Sequence, residues 1–222
     1  MIEGLRNEVL SNLKNQYKKN LVFKKDLFNI TSARSKIVAE TDGTLFDLVM
    51  KSVKKAYETA GFIPPPLKDL ETMARKIVKN SSSMITDSIN VINENLKTNI
   101  QNMIENNPLA TADELYDKLV ENIDGKFDSL KASRAANIAQ TTSTFTECFA
   151  QKETFLKMGL SYLWLSQRDD VVRPAHRVAD GQKQVDGFFN VGGEKLEHPA
   201  SGGSASNVCN CRCYLYPYKE KE

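Results

Sequence analysis

The chain has 222 residues, enough for one or two domains and for a core that needs no disulfide staples. Charged residues at 26% and hydrophobic ones at 41% are ordinary for a soluble globular protein, and 30 basic against 28 acidic residues exclude any argument for nucleic-acid binding from net charge alone. No run of about 18 consecutive apolar residues occurs, which excludes a transmembrane helix; the amphipathic start, MIEGLRNEVL, carries acids and no apolar h-region, so no secretory leader is expected.

The charge is uneven along the chain. Residues 1–60 hold eleven Lys/Arg against seven Asp/Glu, a weakly basic arm that reads either as a solvated helix face or as a surface for DNA or an acidic partner. Through about Gly159 the pattern is helical. Leu45, Phe46, Val49, Val53, Ala56, Tyr57 and Ala60 recur at three- and four-residue steps, one apolar stripe. Gly61 and Pro64-Pro65-Pro66 stop that helix and form a stiff spacer.

A shorter helix is expected over 67–80. A second stripe, Ile85, Ile89, Ile92, Leu96, Ile100, Met103 and Ile104, marks a separate helix that Asn106-Asn107-Pro108 breaks. Thr111 precedes Glu114 at capping-box spacing, in which each side chain satisfies the other residue's free backbone N–H. Leu115, Leu119, Val120 and Ile123 supply that helix's buried face, and Gly125 is a natural stop. A further helix is expected from about Phe127 to Met158.

After Gly159 the texture changes. Residues 162–166 form a short strand-like run around Trp164, the expected anchor of a small core, with Phe188 and Phe189 packing beside it. Glycines at 181, 187, 192, 193, 202 and 203 suit turns and short strands rather than long helices. The last strand is expected over Cys211 to Tyr216, closed by Pro217. The fold class is therefore α+β. A helical region for partner docking, 1–107, precedes a small α+β module with short strands and glycine-rich loops, 108–222, the change-over lying near 107–130.

Polar residues crowd that module: Arg168-Asp169-Asp170, Arg173, His176, Asp180-Gly181, and Cys209-Asn210-Cys211-Arg212-Cys213. Cys148 stands apart from the other three cysteines, so the four make no spaced disulfide framework and read as reduced thiols. His176 with Cys209, Cys211 and Cys213 has the chemistry of a structural zinc set. On an extended chain, however, Cys209 and Cys213 lie roughly 13 Å apart at about 3.3 Å per residue, too far for one ion without a bend. His176 with Cys211 and Cys213 is the easier set. Packed reduced thiols and a redox-sensitive pair are the alternatives. His176, Arg173 and Asp170 could instead form a base, an anion clamp and an acid for phosphodiester cleavage. Yet no nucleophile elbow or phosphate-cradling glycine loop accompanies them, and Arg–Asp pairs fixing loops around a structural histidine account for the same residues.

The ordered set Arg134, Ile138-Ala139-Gln140-Thr141, Trp164, Asp170, Arg173, His176, Asp180-Gly181, Phe189, Pro199 and Asn210-Cys211-Arg212-Cys213 resembles the phage Mu protein F-like family of minor head, or head morphogenesis, proteins of tailed double-stranded DNA phages and prophages. The likeness covers roughly residues 110–217. One departure is Thr141-Thr142, where the family usually carries Thr-Glu.

The resemblance implies a non-enzymatic virion component near the portal vertex inside the head, made in the host cytoplasm and acting in head assembly, genome packaging or delivery. The implied partners are the portal protein, a capsid or scaffold protein, and double-stranded DNA bound without sequence preference; no membrane is involved. The family's histidine and Cys-x-Cys pair look like metal ligands, which fall on His176, Cys211 and Cys213 here. A nuclease centred on His176, Arg173 and Asp170 is the competing expectation.

Overall fold

A computed structural model describes the backbone of residues 2–20, 31–131 and 133–219, and the side chains of these apart from residues 2, 18–20, 31–34, 129–131 and 133–135. The expected motif residue Arg134 thus lies outside the described side chains. The elements are α1 (Ile2–Asn20), α2 (Thr31–Ala60), α3 (Leu67–Glu105), α4 (Ala112–Lys131), α5 (Ser133–Lys157), β1 (Ser161–Leu165), α6 (Pro174–Ala179), β2 (Phe189–Val191), β3 (Glu194–Leu196), α7 (Ala205–Val208) and β4 (Tyr214–Tyr218). The chain is mostly helical, with short antiparallel strands confined to the carboxyl-terminal module, an α+β fold. No described helix is long and apolar enough to cross a membrane.

Contacts divide the chain into two compact units, Met1–Glu40 with Ile85–Ala136 and Thr41–Met84 with Asn137–Glu222. The first unit is helical. Leu5, Val9 and Leu13 of α1 are buried at four-residue steps, as are Leu119, Ile123 and Phe127 of α4, and Ile85, Ile89, Ile92, Leu96 and Ile100 of α3 at steps of three and four. Helix α1 packs on α4, where Arg6 Nε donates to Asp124 Oδ1 at 2.8 Å and the rings of Tyr17 and Tyr116 lie 4.7 Å apart. The capping box forms: Thr111 N–H donates to Glu114 Oε2 at 2.9 Å, and Glu114 N–H donates to Thr111 Oγ1 at 3.3 Å.

Two helix boundaries differ from the sequence reading. Residues 67–80 and 85–104 belong to one continuous helix, α3. The serine run between them does not cap a new helix, because its hydroxyls are satisfied otherwise. Ser81 donates to the Ile77 carbonyl at 3.1 Å, Ser83 to the Asn80 carbonyl, and Ser82 to Asp42 Oδ1. Such back-bonding lets serine remain inside a helix. Gly125 also fails to end α4, which runs on to Lys131. The buried stripe Leu119, Ile123, Phe127 continues across the glycine, and burying Phe127 outweighs the roughly 1 kcal/mol that an internal glycine costs.

In the second unit α2 ends in a Schellman motif, with Gly61 at φ +73°, Phe62 N–H bonded to the Tyr57 carbonyl and Gly61 N–H to the Glu58 carbonyl. The missing Cβ makes that left-handed residue inexpensive. Strands β1 and β4 pair antiparallel, with Trp164 opposite Leu215 and Leu163 opposite Tyr216; β2 and β3 form a second two-stranded sheet. The 181–184 segment lies along the other edge of β1, where Trp164 N–H donates to the Gln182 carbonyl and Gly181 N–H to the Trp164 carbonyl.

The buried face of β1 and β4 carries Tyr162, Trp164 and Leu215. It closes over a core of Phe155, Ala179, Phe189, Val191 and Leu196. Trp164 is fully buried, its ring edge-on to Phe189 at 5.5 Å. Phe188 does not pack with its neighbour; it is 39% exposed, because alternation on a short strand can bury only one of the two.

The final strand also differs from its expected span. It covers Tyr214–Tyr218 with Pro217 inside it. Leu215 N–H turns away from β1 and donates to Gln151 Oε1 at 3.0 Å. Pro217 shares that parity, so its missing N–H lies on the outer edge and costs no ladder bond.

Candidate metal centre

Helix α6 opens with Pro174 in its first turn, where the absent N–H is harmless, and this short helix turns His176 inward. The ring is 2% exposed and stands edge-on to Trp164 at 5.5 Å. Its Nδ1 lies 3.3 Å from the Cys213 sulfur and 3.6 Å from the Cys211 sulfur. These three ligand atoms lie within 4.8 Å of one another, and all three residues are buried. Cys209 is exposed and stays outside the cluster. Asn210, at φ +55°, turns the chain between Cys209 and Cys211, a conformation asparagine tolerates better than most residues.

The corner carrying the two thiols is held from several sides. Arg212 points away from the cluster and grips Asp169 with both terminal nitrogens, at 2.8 Å and 2.7 Å; the guanidinium holds the Asp169 carboxyl below its usual range. Arg173 donates to the Cys209 carbonyl. Asp180 caps the turn after β1, accepting from Ser166 N–H at 2.7 Å and from Arg168 Nε at 2.9 Å. Burial opposes ionisation of that carboxyl, but the two donors outweigh it and hold its pKa below the ordinary value. Asp170 is exposed, and its carbonyl accepts from Arg177. Asp170, Arg173 and His176 therefore do not converge on one open cleft.

Four residues complete the corner, of which Thr144 and Gln151 were not singled out in the sequence and Thr141 and Cys148 were named without this role. Thr141, Thr144, Cys148 and Gln151 follow one another on α5 at steps of three, four and three. Thr141 Oγ1 accepts from Asn210 N–H at 2.9 Å, and Thr144 Oγ1 donates to the Cys211 carbonyl at 2.6 Å. The Cys148 thiol donates to the Cys213 carbonyl at 3.4 Å, and Gln151 accepts from Leu215 N–H. These side chains stand where a neighbouring strand would otherwise satisfy the backbone of 210–215. A row of small polar groups at helical spacing was the available signal. Burial pushes the Cys148 thiol well up, which keeps it protonated and able to donate.

The donor set fits zinc. Thiolate and imidazole are its preferred ligands, and Zn–N and Zn–S bonds of about 2.05 and 2.3 Å at tetrahedral angles separate nitrogen from sulfur by about 3.5 Å. The two Nδ1-to-sulfur distances bracket that value. The cluster also supplies negative charge. Cys211 is brought down to about 5, first by a hydrogen bond from Cys213, against burial and with help from His176. Cys213, sharing the proton, is pushed strongly up by Cys211 and by burial. Among the described residues, the other ring nitrogen of His176, Nε2, finds no hydrogen-bond partner. The three residues could therefore hold a metal ion. Comparison with protein-family models, with the curated proteins and with the solved structures finds no match.

Proposed function

We propose that the chain is a minor head protein of a tailed double-stranded DNA phage or prophage, similar to the phage Mu protein F-like family, that docks on the portal and serves head assembly or genome packaging and delivery. The observation that carries this reading is the joint role of the scattered motif residues in one corner. Trp164 and Phe189 pack in the core, Asp180 caps the β1 turn, Arg212 clamps Asp169, and His176 meets Cys211 and Cys213. These residues lie far apart in sequence yet belong to one unit, which supports the resemblance.

In this reading the ion is a structural zinc held by His176, Cys211 and Cys213. It would neutralise the buried thiolates and tie α6 to the corner before β4. His176 serves as a ligand and not as a base, in keeping with its burial. Arg173 and Asp170 act as loop fasteners. The zinc reading also accounts for the cysteine spacing, since Cys209 is turned out to solvent.

The test is assembly. The full chain should co-sediment with oligomers of its phage's portal protein and should be found in mature heads. A chain that neither associates with the portal nor enters heads contradicts the reading. So does nucleic-acid cleavage that His176→Ala abolishes while the fold persists.

A further inference from the structure

The face of β1 and β4 opposite the core is open. Tyr214, Tyr216 and Tyr218 are 39%, 45% and 36% exposed, and they stand on the same side as Leu165, Leu163 and Ser161 of β1. Two lysines stand by these rings. Lys183 Nζ lies 4.8 Å from the Tyr218 ring centroid. Lys55 lines a cleft of about 590 Å³ together with Tyr214 and Tyr216. Among the described residues, Asp169 is engaged by Arg212, and Glu147 lies in the same cleft, where burial raises its pKa against the pull of Lys55 and Lys51.

We propose that this face binds single-stranded nucleic acid, its bases against Tyr214, Tyr216 and Tyr218 and its phosphates towards Lys55 and Lys183. Three features favour that occupant. Exposed aromatic rings beside cations form a stacking platform with an electrostatic guide, whereas protein interfaces, which share the enrichment in tyrosine, are depleted in lysine. Alternate residues on a strand recur about every 6.6 Å, close to twice the roughly 3.4 Å rise per nucleotide of a stacked strand, so a base fits between successive tyrosine positions. A partner strand cannot add to β4, because its outer edge is closed by Gln151 and by Pro217. The face is therefore read through side chains and not through backbone pairing.

The experiment is fluorescence anisotropy of a fluorescein-labelled oligothymidylate of about 12 nucleotides with the full chain. Binding is expected at low salt and should weaken as salt rises. Tyr216→Ala and Tyr214→Ala should each weaken it by about 5- to 150-fold, the range of one lost base–ring stack. Tyr216→Phe should retain it, and Lys183→Gln should lower the salt slope by roughly 0.7. Unchanged Trp164 emission shows that a variant is folded. Absence of binding at low salt overturns the proposal, as does equal affinity in the folded alanine variants. Equal affinity for a duplex of the same length, or displacement by polyglutamate at equal charge concentration, overturns it as well, since neither ligand offers base faces. None of these outcomes depends on association with a portal.

Discussion

Both histidines of the chain are buried, and their surroundings set different tasks. His176 faces two sulfurs. His198 is stacked on Phe149 at 5.6 Å and lies 5.0 Å from the Phe145 ring, with Nδ1 bonded to the Pro199 carbonyl at 2.9 Å. Burial brings its pKa down to about 4 from 6.5, against the help of that carbonyl. The folded state therefore holds His198 neutral, and its contribution is complete above pH 6.5. Between pH 6.5 and 4 only the unfolded chain takes the proton, so stability should fall by about 3 kcal/mol as pH falls through that window. Urea unfolding at pH 7 and pH 4.5 checks this, with His198→Gln as control: the variant should lose most of the difference. An unchanged pH slope in the variant contradicts the assignment. Nothing in the sequence around His198 signalled this, because its ring partners lie about fifty residues earlier on α5. The cysteine preference was readable for a simpler reason. Spacing alone disfavours three thiols on one ion, and the left-handed Asn210 then decides which of them is turned away.

Among the elements, α5 contributes most to the site and was the least legible. The sequence starts it at about Phe127, whereas Phe127 lies in α4 and α5 begins at Ser133, since no continuous apolar stripe marks its inner face. Its inward row is polar because it answers backbone groups of 210–215 that a short two-stranded sheet leaves without a neighbour. Thr144→Val should therefore cost about 1–3 kcal/mol, the penalty of leaving the buried Cys211 carbonyl unpaired, while Thr144→Ser should cost much less. Thermal or urea unfolding monitored by Trp164 fluorescence reads both. Equal stability of Thr144→Val and the parent chain would show that the Cys211 carbonyl needs no partner. Strand β4 was misjudged at both ends for a related reason. The chain before it is shaped by side-chain contacts rather than by pairing, and proline is harmless on an edge that pairs with nothing.

At the scale of the whole molecule, the apolar stripes of α2, α3 and α4 and the glycine-rich texture after residue 159 made the α+β class readable. The continuity of α3 was not, because the serines at its middle read equally well as a break or as a back-bonded helical segment. Neither could local patterning reveal that α2 and α3 each give residues to both units, since that division depends on tertiary contacts. What holds the second unit's final turn in place is, in this account, a metal centre supported by the α5 row and the Asp169–Arg212 clamp. The most direct test is the metal content of the purified full chain, coupled with X-ray absorption at the zinc edge. About one zinc per chain is expected, with two sulfur neighbours and nitrogen from His176, retained in Cys209→Ser and Cys148→Ser and lost in Cys211→Ser and Cys213→Ser. Chelation should lower the urea midpoint of the carboxyl-terminal module. A chain that takes up no zinc and unfolds at the same urea concentration with and without chelator, or that keeps zinc in Cys213→Ser and loses it in Cys209→Ser, contradicts the account.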